Sequence, residues 1–488
     1  MANKIVVTVF AMLAAASSGT FAAGDAAVDS NAVPHIAISP SDVIKVRAHP
    51  SPQYWADKLP EGEGRAVITQ KCQLCHDLQR AIAFARPKEQ WQLIVEAMHT
   101  RGSPLTPEEI PLAVNYLTKY FGLDSLPIPE VGMKPCKPRE WPKGSSDFRS
   151  NWKGSYNIWV SNQQGAGIDI VDPVTKNIVR RINCVSAPDR IEFSRDGNTA
   201  YAPDRVEHNI TVIDTRTGAI KAKVPLIERP NVAVFSRDYK KLYVGIWPVT
   251  ADDGKRGYVQ VVDTSTLKVV KTIQTKAGIH DTWMSSDGKL LLAMSPPGMF
   301  MNVYDTQTDK LLYTCCNKAE IGTMNMEAGP DGSTSRIFFS QAGFPGVIVI
   351  DAKTGQELKR VEFYVDTEGP SKGVMHQPAP LGFHGGEISP DGKSYWITTG
   401  SYVYRYDLPS LKAVGDVHLA KVDQAGNPFT PAIEGSWLTI APDGQKVYAV
   451  RPGRNLLSVI DVKTMKEEAL IPTGEYPLHV SIWPRGTP

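Results

Sequence analysis

The sequence predicts a multidomain chain: a small all-α domain followed by an all-β, seven-bladed propeller closed by its own C-terminal strand. Three observations carry this. Apolar residues recur at helical spacing up to about residue 125 and not beyond. After residue 150, short β-rich runs alternate with Gly, Asp and Pro turns, and one unit recurs seven times. The stretch that follows the last unit supplies the strand that the first unit lacks.

A chain of 488 residues is too long for one ordinary domain. Its 53 basic and 51 acidic residues leave a formal charge of +2, with no run of like charges. That balance argues against nucleic acid or an anionic membrane surface as partner. At the N-terminus, Lys4 precedes an apolar run from Ile5 to Ala16, and Thr20 and Ala22 stand where cleavage before Ala23 requires small residues. Residues 1–22 therefore read as a secretory signal peptide, with an apolar run too short for the roughly 20 residues of a membrane span. Export to the periplasm follows as an expectation, and no later segment is apolar enough to span. Residues 23–49 read as a flexible or extended leader.

Residues 50–125 form the helical unit. Glu61 to Cys75 is a helix candidate. Pro87 opens another, whose Trp91, Ile94, Val95 and Met98 share one face before Gly102 stops it. A third begins with Thr106 as N-cap, Pro107 at the first position and Glu109 completing a capping box, and stops at Gly122. At the end of the first helix stands Lys71-Cys72-Gln73-Leu74-Cys75-His76. Two thiols three residues apart can add across the two vinyl groups of a haem, and the next histidine then lies beneath the iron. C-x-x-C-H is the attachment signal for c-type haem. A redox dithiol would sit near a βαβ pattern and a zinc site would need a second cysteine pair at similar spacing; neither is present. One covalent haem c on Cys72 and Cys75, with His76 as iron ligand, is the expectation, and this makes the unit a cytochrome c domain.

The run Trp91…Met98…Arg101-Gly102…Leu105…Glu109…Tyr116-Leu117…Phe121-Gly122 resembles the small cytochrome domains of quinohaemoprotein-type dehydrogenases, over about 70 residues. That resemblance implies Met98 as the second iron ligand. His99, Met133 and an open distal site are the alternatives. Of the other cysteines, Cys136, Cys184, Cys315 and Cys316 permit two disulfides in an oxidising compartment, and spacing does not decide the pairing.

Residues 126–150 read as a linker and 151–488 as the propeller. Each unit has an apolar strand, a Ser-x-Asp-Gly turn, a strand with Tyr, a variable loop, and an apolar strand ending in Asp-x-x-Thr-Gly or similar. The closing aspartates are Asp172, Asp214, Asp263, Asp305, Asp351, Asp407 and Asp461, between 42 and 56 residues apart. That period, with several strands per unit, marks a β-propeller. The first unit lacks its opening strand, and the terminal YPLHVSIWPRG reads as that strand, closing the ring and removing exposed edges. The pattern resembles the YVTN-type propellers of secreted redox proteins, which specifies fold more than function.

Residues just before each opening strand fall at one mouth of the channel. They are Asp189 and Arg190, Asn231, His280 and Asp281, Asn325, His384, Ser436 and Trp437, and His479, with His208 and His376 in neighbouring loops. His280, His384 and His479 with Asp281 and Arg190 are the candidates for a metal, a second cofactor or catalysis, since imidazole suits copper or iron. Hydrogen-bonded structural histidines are the competing reading. Three functions follow. One is an oxidoreductase whose propeller binds a substrate or second cofactor while the haem exports electrons. The layout is similar to cytochrome-containing nitrite reductases, although those have eight blades. The second is an electron-transfer or scaffold subunit of a multi-chain, amine-type dehydrogenase. The third is a non-catalytic interaction module tethered to a cytochrome. Periplasmic electron-transfer proteins or dehydrogenase subunits are the expected partners.

Overall fold

A computed structural model describes residues 59–72, 88–100, 103–122 and most of 155–483, together with the short strands Ile36–Ala37 and Ile44–Val46. Within 155–483, the segments 164–166, 248–255, 316–320, 363–384, 420–421 and 425–436 and a few single or paired positions fall outside this description. Cys75, His76, Met133, Cys136, Cys184, Cys316, His376, His384 and Ser436 therefore lie outside the described residues, as does the linker 126–150.

The protein contains a seven-bladed β-propeller. Six blades are four-stranded antiparallel sheets, and the seventh carries a fifth strand at its outer edge. Blade 1 is built from both ends of the propeller. Its innermost strand, Pro477–Trp483, pairs with Asn157–Asn162 in a register that sets Val160 opposite Val480. The chain end thus closes the ring, as the missing strand of the first unit predicts.

The turn chemistry is local and repeats from blade to blade. In Ser-x-Asp-Gly turns the serine hydroxyl donates to the aspartate, as Ser194 does to Asp196 at 2.6 Å. Gly197 closes that turn at φ +68°, and a Cβ there would also lie 2.9 Å from the Trp483 indole. At the outer hairpins, Asp214, Asp263, Asp305, Asp351 and Asp461 each accept the backbone N–H three residues on, at 2.7–2.8 Å.

The apolar core is a ring of seven clusters, one at each junction between neighbouring blades. Trp159, Ile170 and Ile182 of blade 1 pack on Ile191, Phe193 and Ala200 of blade 2, and blades 7 and 1 meet through Tyr448, Val459, Val480 and Ile482. The other five junctions repeat this arrangement. Both faces of each middle strand are therefore apolar, which is why these strands read as continuous Val, Ile and Tyr runs.

An eighth cluster belongs to three helices: α1 (Arg65–Lys71), α2 (Lys88–Thr100) and α3 (Glu109–Phe121). Helix α1 starts later than the periodicity suggests. Gly62 and Gly64 disfavour helix, and Gly64 caps it at φ +91°, where a Cβ would come within 2.6 Å of the Leu112 carbonyl oxygen. The capping box before α3 forms as expected: the Thr106 N–H donates to Glu109 Oε2 at 2.8 Å, and the Glu109 N–H to Thr106 Oγ1 at 3.4 Å. Trp91 and Val95 of α2 are buried and Ile94 packs against them. Met98, placed on the same face by spacing, is half-buried and stands outside that cluster. Trp91 ties α2 to the end of α3 by donating to the Phe121 carbonyl at 3.0 Å.

Part of the leader is extended, one of the two forms the sequence allows for it. Ile36–Ala37 adds antiparallel to the outer strand of blade 7, with Ile36 opposite Leu470, and Ile44–Val46 pairs in parallel with Val422–Gln424. The outermost strand of a blade presents unpaired N–H and C=O groups, and an extended segment satisfies them. Cys315 is disulfide-bonded. Among the described residues, no helix is long and apolar enough to cross a membrane.

Candidate functional site

The strands nearest the axis bring together most of the residues placed there by counting back from the Ser-x-Asp-Gly turns. Asp189, at the lead-in to blade 2, is fully buried. Its carbonyl accepts from the Ser161 hydroxyl of blade 1 at 2.7 Å. Its carboxylate meets His479 Nε2 at 2.7 Å on one oxygen and Arg205 Nη1 at 3.3 Å on the other, and accepts the Arg190 backbone N–H at 2.8 Å. Burial alone would raise the pKa of this carboxyl, but His479, Arg205 and His280 together hold it well below the carboxylate range. His479 stacks on Trp437, ring centres 4.4 Å apart. Burial pushes its imidazole below the ordinary histidine value, against the opposing pull of Asp189.

Arg190 is 8% exposed. Its Nε donates to Glu192 at 3.1 Å and its Nη2 to the Ala233 carbonyl at 3.1 Å, while the guanidinium lies 4.3 Å from the centre of the Trp283 ring. His280 Nδ1 sits 2.9 Å from Asp281 and its ring meets Trp247 edge-on.

Two asparagines of the set have structural work. Asn231 donates to the Ile279 carbonyl at 3.3 Å and Asn325 to the Gly386 carbonyl at 2.6 Å, each tying its blade to the next. His208 occupies a hairpin turn of blade 2 at φ +50°, and burial lowers its pKa.

A cavity of about 50 Å³ opens among these residues, lined by Arg190, Glu192, Trp283, Glu387, Thr439 and His479, with Trp437 and Ser481 beside them. That is room for about three to five water molecules. Glu192, Trp283, Thr439 and Ser481 were missed by counting back, yet a signal for them exists. Each stands two residues beyond a named position (Arg190, Asp281, Trp437, His479), and in a strand such residues share a face. Arg205 had no such signal, because it reaches Asp189 from a separate hairpin. Among the described residues, no group of three or more His, Cys, Asp or Glu side chains is arranged to hold a metal ion.

In the helical unit, Cys72 is the C-cap of α1, its N–H directed to the Ile68 carbonyl, and it packs half-buried against the helical core. The preceding residue, Lys71, donates from Nζ to the Pro104 carbonyl at 3.1 Å. Pro104 belongs to the turn after α2, where the Ser103 N–H donates to the Met98 carbonyl at 3.0 Å. The end of α1 and the turn that follows Met98 are thereby held side by side.

No protein-family model matches the chain. YncE of Salmonella typhi is 23% identical over 240 residues, 45% of this chain and 65% of YncE. YncE of Escherichia coli K12 is 24% identical over 226 residues, 42% and 61%. The chain thus spans less than two thirds of the length of these relatives. Among solved structures, a functionally unknown protein from Desulfotomaculum acetoxidans superposes with TM-score 0.53 at 12% identity, covering 67% of this chain and 99% of that one. The periplasmic gluconolactonase PpgL of Pseudomonas aeruginosa gives TM-score 0.50 at 16% identity, covering 67% and 98%. These likenesses establish the fold, a seven-bladed propeller, and nothing finer.

Proposed function

We propose that the chain is an exported periplasmic redox protein, in which a cytochrome c domain at 50–125 carries one covalent haem and the propeller binds the electron donor, either a small substrate or a partner dehydrogenase. The observation that carries this reading is Lys71-Cys72-Gln73-Leu74-Cys75-His76, with Cys72 at a helix end against a small apolar core. The residues fit the group. A thiol half-buried at a C-cap can be alkylated by a vinyl carbon without unpacking the core, and Met98 is partly buried yet not consumed by that core. Cys72 and Cys75 would hold the haem, His76 would ligate the iron and Met98 is the ligand proposed opposite. When bound, the haem supplies a one-electron couple, and a thioether opposite histidine raises its potential. The Lys71–Pro104 bond supports this reading, since it sets the end of α1 beside the turn that follows Met98.

The space in the propeller favours a small substrate over a second tetrapyrrole, because the channel cavity is far below the roughly 300–1,000 Å³ of sites for larger ligands. The seven blades are also compatible with a scaffold subunit of an amine-type dehydrogenase. Co-purification of a small cysteine-rich chain would favour that reading.

The test is expression of the full chain with a c-type maturation system, followed by haem staining after denaturing electrophoresis, iron analysis and N-terminal sequencing. One iron per chain, a covalent haem band lost on Cys72→Ser, and a mature start at Ala23 are expected. A chain that leaves the maturation system without covalent haem overturns the proposal.

A further inference from the structure

Among the described residues, the propeller channel holds buried hydrogen-bond donors with no acceptor. With Nε and Nη2 of Arg190 engaged, Nη1 is buried and unpartnered, and so is the indole Nε1 of Trp283. Both residues line the central cavity. Buried donors of this kind are costly unless something accepts from them. The donors rule out a cation as the missing partner, since guanidinium would repel it.

The surrounding charge argues against an anion as well. Among the described residues that line the cavity, the carboxylates of Glu192 and Glu387 outnumber the single guanidinium of Arg190. An added anion would enter a region already negative. What remains is uncharged oxygen. The Glu192 and Glu387 carboxylates accept from hydroxyls, Thr439 and Ser481 can do either, and the Trp283 and Trp437 rings offer flat apolar walls for C–H groups.

We infer that the propeller channel is a binding site for a small uncharged hydroxycarbonyl compound or polyol of about three carbons, whose carbonyl or hydroxyl oxygen accepts from Arg190 Nη1 and Trp283 Nε1. The site belongs to the propeller and does not depend on haem attachment.

The test titrates the full chain, with haem and as the Cys72→Ser variant, by ligand-observed NMR, using dihydroxyacetone and glycerol against the anion glycerate and against Zn²⁺. Saturable binding of dihydroxyacetone below about 10 mM is expected in both forms, tighter than glycerate. Trp283→Phe keeps the ring and removes the donor, and should weaken binding about three- to tenfold. Arg190→Lys keeps the charge and removes the Nη1 donor, and should weaken it about tenfold or more. No saturable binding of either neutral probe, tighter binding of glycerate or Zn²⁺, or unchanged affinity in a folded Trp283→Phe protein would each overturn the inference. Failure of haem attachment alongside intact probe binding sinks only the redox reading.

Discussion

Asp189→Asn separates a buried ion network from a merely polar one. The carboxylate is fully buried, and both of its oxygens are engaged, by His479 and the Arg190 N–H on one side and by Arg205 on the other. Asparagine preserves the volume and one carbonyl oxygen but removes the charge. Arg205, 8% exposed, then loses the carboxylate that lies 3.3 Å from it. Removing one partner of a buried pair costs about 3–5 kcal/mol, and the 3.3 Å contact points to the lower end, about 3 kcal/mol. For a unit of this size, a kilocalorie lowers Tm by about 2 °C, so a fall of about 6 °C is expected. Differential scanning calorimetry at pH 7 measures it, with the propeller transition resolved from that of the helical unit. A second variant, His479→Gln, with the double mutant completes a cycle, and a coupling energy near zero would mean that the two groups do not share a charge. A Tm within 2 °C of wild type in Asp189→Asn would refute the account of this network.

Stability should also depend on pH with a defined sign. Burial lowers the pKa of His479 and His208 in the folded state, so the unfolded chain binds more protons below about pH 6.5. Full stability above that pH and a decline below it are expected, with a shallower decline in His479→Gln; urea titrations at pH 5, 6 and 7.5 check it. Asp189, depressed in the fold, adds a separate loss only below about pH 3.9. Ile482→Ala hollows the closing strand at the junction of blades 7 and 1 and should cost about 2–5 kcal/mol in chemical denaturation. On the proposed haem, Met98→His should lower the midpoint potential measured by redox titration, whereas an unchanged potential would assign the sixth ligand elsewhere.

Features of the propeller that repeat were legible because their causes are short-range. Asp214 and its counterparts organise their own hairpins through N–H groups two and three residues away, so the pattern is written within a few letters of each aspartate. Ring closure was legible for a different reason: an unpaired opening strand in the first unit is a deficit that only one remaining segment, Pro477–Trp483, could fill.

The channel was legible only in part. Counting back from the turns located Asp189, Arg190, His280, Asp281, Trp437 and His479, because blade phase sets which residues face the axis. The same phase carried two residues further would have found Glu192, Trp283 and Thr439. It could not say that Arg205, in a hairpin turn of blade 2, and His479, on the closing strand and 274 positions away in the chain, converge on one carboxylate. Nor could helical spacing separate Met98 from Trp91, Ile94 and Val95, since periodicity assigns a face but not which residues of it the neighbouring helices cover. By itself the sequence determined the repeating blade, which rests on local geometry, and the closing strand, which fills the deficit of the first unit; it also supplies the Cys-x-x-Cys-His motif on which the haem proposal rests. Only the tertiary structure decided that His479 of the closing strand meets Asp189 of blade 2 and which donors beside them are left unpaired, because those relations join blades that the closed ring brings together.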